Sequence, residues 1–258
     1  MKATDLNGRI AVVTGASSGL GRRMALELAK CGAVVTAIAR RRERLDLLAD
    51  EMRATSPSSE SAVCDISDTD AFVALLRGVE ATHGRIDVLV NNAGIGEQAG
   101  EGVEPYRQVM ETNYFAPVAG TLAVLPGMRA RRDGDIVNVS SDAGRAPLPR
   151  EVGYSASKAA LSAFTEAMAF ETDADGVRLH ILYPGWVPTE MTTEPDGSSN
   201  ERLPPKIVRR TDEQVARLLI DGLGTKRLVL DATVVARIAP IAKALFPQAY
   251  RRGVAKFT

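Results

Sequence analysis

The feature that most constrains this chain is its opening. An apolar, β-branched run, Arg9 to Thr14 (R-I-A-V-V-T), breaks on G-A-S-S-G-L-G and passes directly into R-R-M-A-L-E-L-A-K. The run has no polar face, as in a strand buried on both sides. Met24, Leu26, Leu28 and Ala29 then supply the apolar side of a helix that ends before Gly32. Strand, glycine turn and helix form the first half of a βαβ unit, whose parallel strands need helical crossovers. Gly15, Gly19 and Gly21, spaced Gly-x-x-x-Gly-x-Gly, let main chain approach a pyrophosphate where a helix N-terminus presents unpaired N–H groups. A glycine-rich stretch alone is often only a turn; its place directly after a buried strand favours the phosphate reading.

The alternation continues. Ala33–Ala39, Ser61–Cys64, Ile86–Val90, Asp135–Val139, Val177–Tyr183 and Arg227–Leu230 read as further strands. Between them Glu43–Ala54, Thr69–His83, Glu104–Arg132, Tyr154–Thr172 and Thr211–Gly222 read as helices, the third reset near Thr112–Asn113. Without repeats, low-complexity tracts or linkers, residues 1–258 are expected to form one α/β domain. The polar, Pro/Gly/Ser-rich stretch 190–210 is long for a connection and is expected to act as a lid. The apolar-basic extension 232–258 is expected to be a helix interrupted at Pro240 and Pro247, packed on its own subunit or a partner; contact with a membrane surface is the less favoured reading.

Composition narrows the function. Lys plus Arg and Asp plus Glu each number 32, which leaves no basic excess to suggest a nucleic-acid partner. Cys31 and Cys64 lie far apart without metal-ligand spacing, as buried thiols of a reducing compartment. The first residues leave no room for a signal peptide, and no apolar run approaches the roughly 18 residues of a membrane span, so a soluble, cytoplasmic protein is expected.

Chemistry gathers at the strand ends. Tyr154 and Lys158, four apart on one helix face, place an ammonium near a phenol. A fixed positive charge there favours the phenolate over a free phenol of pKa about 10, which suits proton exchange with a carbonyl or alcohol. Ser141, at the end of I-V-N-V, can reach the same oxygen. Many helices carry such a pair for packing alone, so its weight comes from the other motifs. After the second strand, Ala39 is followed by Arg40, where a carboxylate would bind the adenosine ribose and an arginine a 2′-phosphate. Arg41 and Arg42 read more readily as a solvated surface cluster. Asp65-Ile66 and N-N-A-G (Asn91–Gly94) close two further strands; Asp65 suits an adenine amino group or a helix cap, and the two amides and glycine suit either holding neighbouring strands and lining a cofactor floor, or a turn.

These motifs, T-G-A-S-S-G-L-G (Thr14–Gly21), N-N-A-G, Asn113, S-S-D-A-G with Ser141, Y-S-A-S-K and P-G-W-V-P-T (Pro184–Thr189), follow in the order and approximate spacing of the short-chain dehydrogenase/reductase superfamily. The resemblance covers about residues 7–230. It implies a doubly wound, Rossmann-type sheet of about seven parallel strands, a nicotinamide cofactor along its C-terminal edge, a small carbonyl or alcohol substrate and a homodimer or homotetramer. Tyr154 resembles the general acid/base, Lys158 the group that lowers its pKa and holds the nicotinamide ribose, Ser141 (rather than Ser140) the residue polarising the substrate oxygen, and Asn113 the one seating a proton-relay water. The cofactor site implied comprises Gly15, Ser17, Ser18, Gly19, Leu20 and Gly21; Arg40; Asp65 and Ile66; Asn91, Ala93 and Gly94; Tyr154 and Lys158; and Pro184, Gly185, Val187 and Thr189. Arg40, with Ala39 in place of the acid, matches members that prefer NADP(H) to NAD(H), whereas Ser18 stands where some of these carry a basic residue. Trp186, Met191, Leu148 and the segment Pro195–Pro205 are expected to shape an apolar substrate pocket. A cofactor sensor without turnover and an NAD-preferring alcohol dehydrogenase are the alternatives.

Overall fold

The computed structural model describes residues 6–96, 98, 100–147, 149–190, 192 and 205–254. The expected features at Leu148, Met191 and 193–204, most of the proposed lid, lie outside the described residues, as do 255–258 of the extension. Seven strands, β1 (Ile10–Thr14), β2 (Val34–Ala39), β3 (Glu60–Val63), β4 (Val88–Asn91), β5 (Gly134–Val139), β6 (Val177–Tyr183) and β7 (Val229–Asp231), form one parallel sheet of order β3-β2-β1-β4-β5-β6-β7. The doubly wound α/β architecture is therefore present. Several strand ends differ from expectation by one or two residues, because ladder register rather than apolar content fixes where pairing starts.

The buried, β-branched strands are covered on both faces. Along β1, Ala11 and Val13 join one cluster with Met24 of α1 (Gly19–Lys30), Leu45 of α2 (Arg42–Arg53) and Leu219 of α8 (Asp212–Gly222). Ile10 and Val12 join the other, with Phe72 of α3 (Thr69–His83) and with Leu125 and Met128 of α5 (Ala116–Arg131). Alternate residues of one strand thus serve two cores.

The expected long helix over 104–132 forms in three pieces: α4 (Glu104–Met110), a π-turn (Glu111–Phe115) and α5. Pro117 has no N–H to offer the Asn113 carbonyl four residues back, which favours a reset at this point. A short helix the sequence did not signal, α6 (Asp142–Arg145), follows β5 and precedes α7 (Val152–Thr172). The extension forms α9 (Val234–Leu245) and α10 (Pro247–Val254), so Pro247 breaks the helix and Pro240 does not. The reason is tertiary: the carbonyl that Pro240 leaves without a donor, that of Ala236, accepts a hydrogen bond from Arg145 Nη1 at 3.0 Å. Tyr250 Oη also donates to the Pro147 carbonyl at 3.3 Å, tying α10 to the loop after α6.

Charge is concentrated at the N-terminal edge of the sheet. Asp87 accepts from Arg85 and from the Ile10 main chain at 2.9 Å, and Asp133 pairs with both Arg9 and Arg178. Asp135, 5% exposed, accepts from Arg178 (2.9 and 2.8 Å), contacts His180 Nε2 at 3.0 Å and receives the Gly224 N–H at 2.9 Å. Burial alone would raise this carboxyl, but the hydrogen bonds from His180, Arg178 and Gly224 outweigh it and bring the pKa down from 3.8 to about 2. Removing that charge while leaving its buried partners should be costly: Asp135→Asn is expected to lose about 3 kcal/mol of unfolding free energy at pH 7. Because the folded pKa is depressed, the contribution is complete above about pH 4 and disappears as pH falls through about 2. Urea unfolding of parent and variant across that range checks both statements; a gap that does not narrow toward acid would contradict the assignment.

Candidate active site

β2 and β3 step outward on one side of β1, and β4 returns on its other side. The connections leaving β1 and β4 consequently diverge, and the crevice between them is where an open α/β sheet binds ligands. Thr14 and Asn92 hold this point together. The Thr14 hydroxyl accepts the main-chain N–H groups of Asn92 and Ala93, both at 3.0 Å, while the Asn92 side-chain amide donates to the Thr14 carbonyl at 2.9 Å. The sequence offered Asn92 as one of two amides able to hold neighbouring strands, while Thr14 stood only as the end of its strand. The available signal was a hydroxyl and an amide at the ends of two buried strands.

This clip brings main chain so close that side chains are excluded. Gly15 has φ +67°, and a Cβ on it would stand 2.7 Å from Ala93 Cα; one on Gly21 would run into the Gly15 carbonyl and the Asn92 amide. Helix α1 begins in this cradle with Ser18 at its N-cap, without a side-chain cap and without an acidic residue in its first turn. Its leading N–H groups thus lack the carboxylate that often meets them, the setting in which an anion binds.

Five of the expected residues converge at the C-terminal edges of β4 and β5. Ser141, in extended conformation at the N-cap of α6, accepts from Ala143 N at 3.2 Å, and its hydroxyl is near enough to the Tyr154 phenol to act on that group's pKa. Its neighbour Ser140 faces inward, bonded to the Lys158 carbonyl (3.1 Å) and Ser162 Oγ (2.7 Å), so Ser141 is the serine that meets the tyrosine. Lys158, 4% exposed, donates through Nζ to the Val139 carbonyl at 2.8 Å. Beside it, a Cβ on Gly94 would lie 3.4 Å from Lys158 Nζ and 3.2 Å from Asn113 Oδ1. Asn113 is fully buried in the π-turn; its Oδ1 accepts from Ile95 N (2.8 Å) and its Nδ2 donates to the Ile95 carbonyl (2.9 Å) and Ser157 Oγ (3.1 Å). Three hydrogen bonds hold that side chain in place, and the Asn113 main-chain carbonyl lacks the usual i+4 donor because Pro117 has no N–H.

The electrostatics differ from the expected pairing. The Lys158 ammonium is drawn to the strand end and stands 5.9 Å from the centre of the Tyr154 ring. Burial raises the phenol above its ordinary pKa; the Ser141 hydrogen bond opposes the rise, and the Glu151 and Asp142 carboxylates add to it. The phenol is therefore held protonated, with no lowering from Lys158. Burial also brings Lys158 from 10.5 down to about 8, which leaves it mainly charged at neutral pH.

The remaining expected residues divide into two groups. Ala93, Pro184 and Gly185 line the strand edge, and Thr189 Cγ2 lies 3.1 Å from where a Gly19 Cβ would be, so this segment crosses the glycine turn. The side chains of Ile66 and Val187 belong to the core, and the Asn91 amide bridges inward to Asn138 Oδ1 (2.8 Å) and the Pro117 carbonyl (3.3 Å). Asp65 closes a local turn by accepting from Ser67 N (3.1 Å) and Ser67 Oγ (2.8 Å). Arg40 is 68% exposed and 3.6 Å from Asp65, whereas Arg41 lies on Ser17 and Ser18.

Residues 9–198 match the family model described as short chain dehydrogenase. A short chain dehydrogenase of Pseudocercospora fijiensis is 40% identical over 201 residues, which is 76% of this chain; the chain spans just under two thirds, 65%, of that relative's length. Among solved structures, a short-chain dehydrogenase from Streptomyces avermitilis superposes with a TM-score of 0.79 at 30% identity, covering 96% of both chains. A metagenomic short-chain oxidoreductase in complex with NADP superposes with a TM-score of 0.74 at 32% identity, covering 88% of this chain and 96% of the other.

An ammonium buried to this degree opposes folding. Replacing it with an uncharged side chain of similar length, Lys158→Met, is expected to raise unfolding free energy at pH 7 by up to about 3 kcal/mol. The gain should shrink as pH rises from about 8 toward 10.5, where the parent amine is neutral in both states and its penalty vanishes. Denaturant unfolding at pH 7 and pH 10 decides it; a variant less stable than the parent at pH 7 would contradict the picture.

Proposed function

The chain belongs to the short-chain dehydrogenase family of oxidoreductases, and on that premise we propose that it is an NADP(H)-dependent carbonyl reductase with Tyr154 as proton donor. The observation that carries the reading is the gathering of Ser141, Tyr154 and the buried Lys158 ammonium, 5.9 Å from the Tyr154 ring centre, at the C-terminal end of β5. The cradle formed by Gly15 and Gly21 fits a dinucleotide pyrophosphate, because both positions exclude a Cβ and open on the uncapped start of α1. Ser17, Ser18, Gly19, Leu20, Asp65, Ala93, Gly94, Pro184, Gly185 and Thr189 complete that assignment. The arginines after β2 support preference for the phosphorylated cofactor, and the NADP complex of the metagenomic relative is in keeping with it.

NADP(H), when bound, supplies the hydride for reduction or accepts it in the reverse direction. The chain supplies position and the proton. Ser141 and Tyr154 hydrogen-bond the substrate carbonyl oxygen, which polarises the C=O bond for hydride addition at carbon. Tyr154 gives its phenolic proton to that oxygen as the alcohol forms, and the raised phenol pKa keeps the proton available. The Ser141 hydroxyl favours the transient phenolate, which is reprotonated by way of the Lys158 ammonium, and Lys158 in turn regains its proton from a water near Asn113. The exposed side of α7, with Ala156, Ala163, Ala167 and Phe170, suits close approach of a second copy in a homodimer or homotetramer. The free thiols Cys31 and Cys64 suit the reducing cytoplasm.

Removal of the phenolic hydroxyl isolates the central claim. Tyr154→Phe is expected to lower turnover of a responsive ketone by roughly 100-fold or more, while NADPH titration returns nearly the parent affinity. Undiminished turnover would sink the assignment.

A further inference from the structure

The C-terminal extension is anchored on one side only. Ala236 of α9 is buried with Ile181 and Tyr183 of β6. Its carbonyl accepts from Arg145 Nη1 at 3.0 Å, and Lys243 Nζ donates to the Arg145 carbonyl at 3.2 Å. The opposite side of the helix carries Val234, Ile238, Ile241 and Leu245, spaced i, i+4, i+7 and i+11 and therefore on one face. Each of the four is 55–67% exposed, and Phe246, at the break before α10, is exposed to the same degree. The 3₁₀ turn Lys206–Val208, which packs beside α9, adds the exposed Ile207. Apolar surface gathered along one helix face, unlike single exposed side chains, marks a site of interaction.

The charge around this face has one sign. Residues 232–258 contain Arg237, Lys243, Arg251, Arg252 and Lys256 and no acidic residue, in a chain whose total charge is zero. Arg237 is matched by Asp231 at 3.0 Å. Arg251 and Arg252 are exposed and make no ion pair among the described residues, and Lys206 adds an exposed cation beside Ile207. A second copy fits this face poorly, because a two-fold contact sets the patch against itself, cation against cation, with no carboxylate of the segment to answer. A membrane surface with anionic headgroups answers both features, taking the apolar side chains into the acyl boundary and the cations among its phosphates. No described helix is long and apolar enough to cross a membrane, and α9 has the amphipathic character of a helix that lies on one.

We propose that α9, with Phe246 and the arginines of α10, docks the protein reversibly on an anionic membrane surface, the apolar face entering the headgroup layer. The inference is independent of the reductase reading. Arg145 joins α9 to α6, the helix that Ser141 caps, so docking holds the Ser141 side of the candidate active site near the lipid.

Co-sedimentation of the full chain with vesicles of phosphatidylcholine, alone or mixed with phosphatidylglycerol, tests this, with thermal melts to verify that the variants fold. The parent should partition onto the anionic vesicles at least about 10-fold more strongly than onto the neutral ones, and less strongly as salt rises. Ile238→Ser combined with Leu245→Ser is expected to lower partitioning onto anionic vesicles by about 10-fold or more. Arg251→Gln combined with Arg252→Gln should cost about 10-fold on anionic vesicles and less than about 2-fold on neutral ones. The proposal is overturned if the parent stays in the supernatant with both vesicles, if it binds both alike, or if the Ile238 and Leu245 double variant binds as the parent does. It is also overturned if light scattering shows a parent dimer that this double variant dissociates, which assigns the face to a second copy.

Discussion

The Thr14–Asn92 clip is the contact on which the site depends. It ties the ends of two adjacent parallel strands at the place where the chain reverses its order across the sheet. With those ends fixed, the loops leaving them are forced apart, and the main chain at Gly15, Gly21 and Ala93 comes within distances that only glycine permits at two of the three positions. The uncapped start of α1 then faces the gap. The crevice at this point is thus a consequence of strand order and of one hydroxyl shared between two N–H groups.

The two edges of the sheet have divided labour. At the N-terminal edge, Asp87, Asp133 and Asp135 are matched by Arg9, Arg85, Arg178 and His180, and every one of these carboxylates has hydrogen-bond partners. The C-terminal edge keeps groups that are less fully compensated: a raised phenol, a lysine depressed by burial and two arginines sharing one carboxylate. Networks of the first kind hold strands in register. Groups of the second kind carry electrostatic cost that a substrate or cofactor can relieve, and perturbed groups of this sort mark functional sites.

Helix interruptions follow the same logic of accounting for main-chain partners. Pro117 and Pro240 each deprive a carbonyl four residues earlier of its donor, yet one helix resets and the other continues. At Ala236 the guanidinium of Arg145 makes up the missing hydrogen bond. At Asn113 the chain forms a π-turn, and the side chain clamps Ile95 and Ser157. The helix that continues past its proline and the one that resets are distinguished by neighbours more than 90 residues away in the first case and about 20 to 40 in the second.

Apolar runs broken by glycine, repeated along the chain, determined a parallel sheet with helices on both faces, and the four-residue spacing of Tyr154 and Lys158 determined that they share a helix side. Periodicity is local and survives in the sequence, so these features were legible, whereas the choice of Ser141 over Ser140 came only from the resemblance to the family. Tertiary structure alone decided where the Lys158 ammonium goes, because the Val139 carbonyl that captures it arrives on another element. It also decided that Arg41 rather than Arg40 covers Ser17 and Ser18, since successive side chains leaving a strand point in different directions and only the packed turn fixes which one meets it. Spacing along a chain sets which groups can meet; the desolvation and the competing partners that fix their charge and aim exist only once the strands are laid side by side.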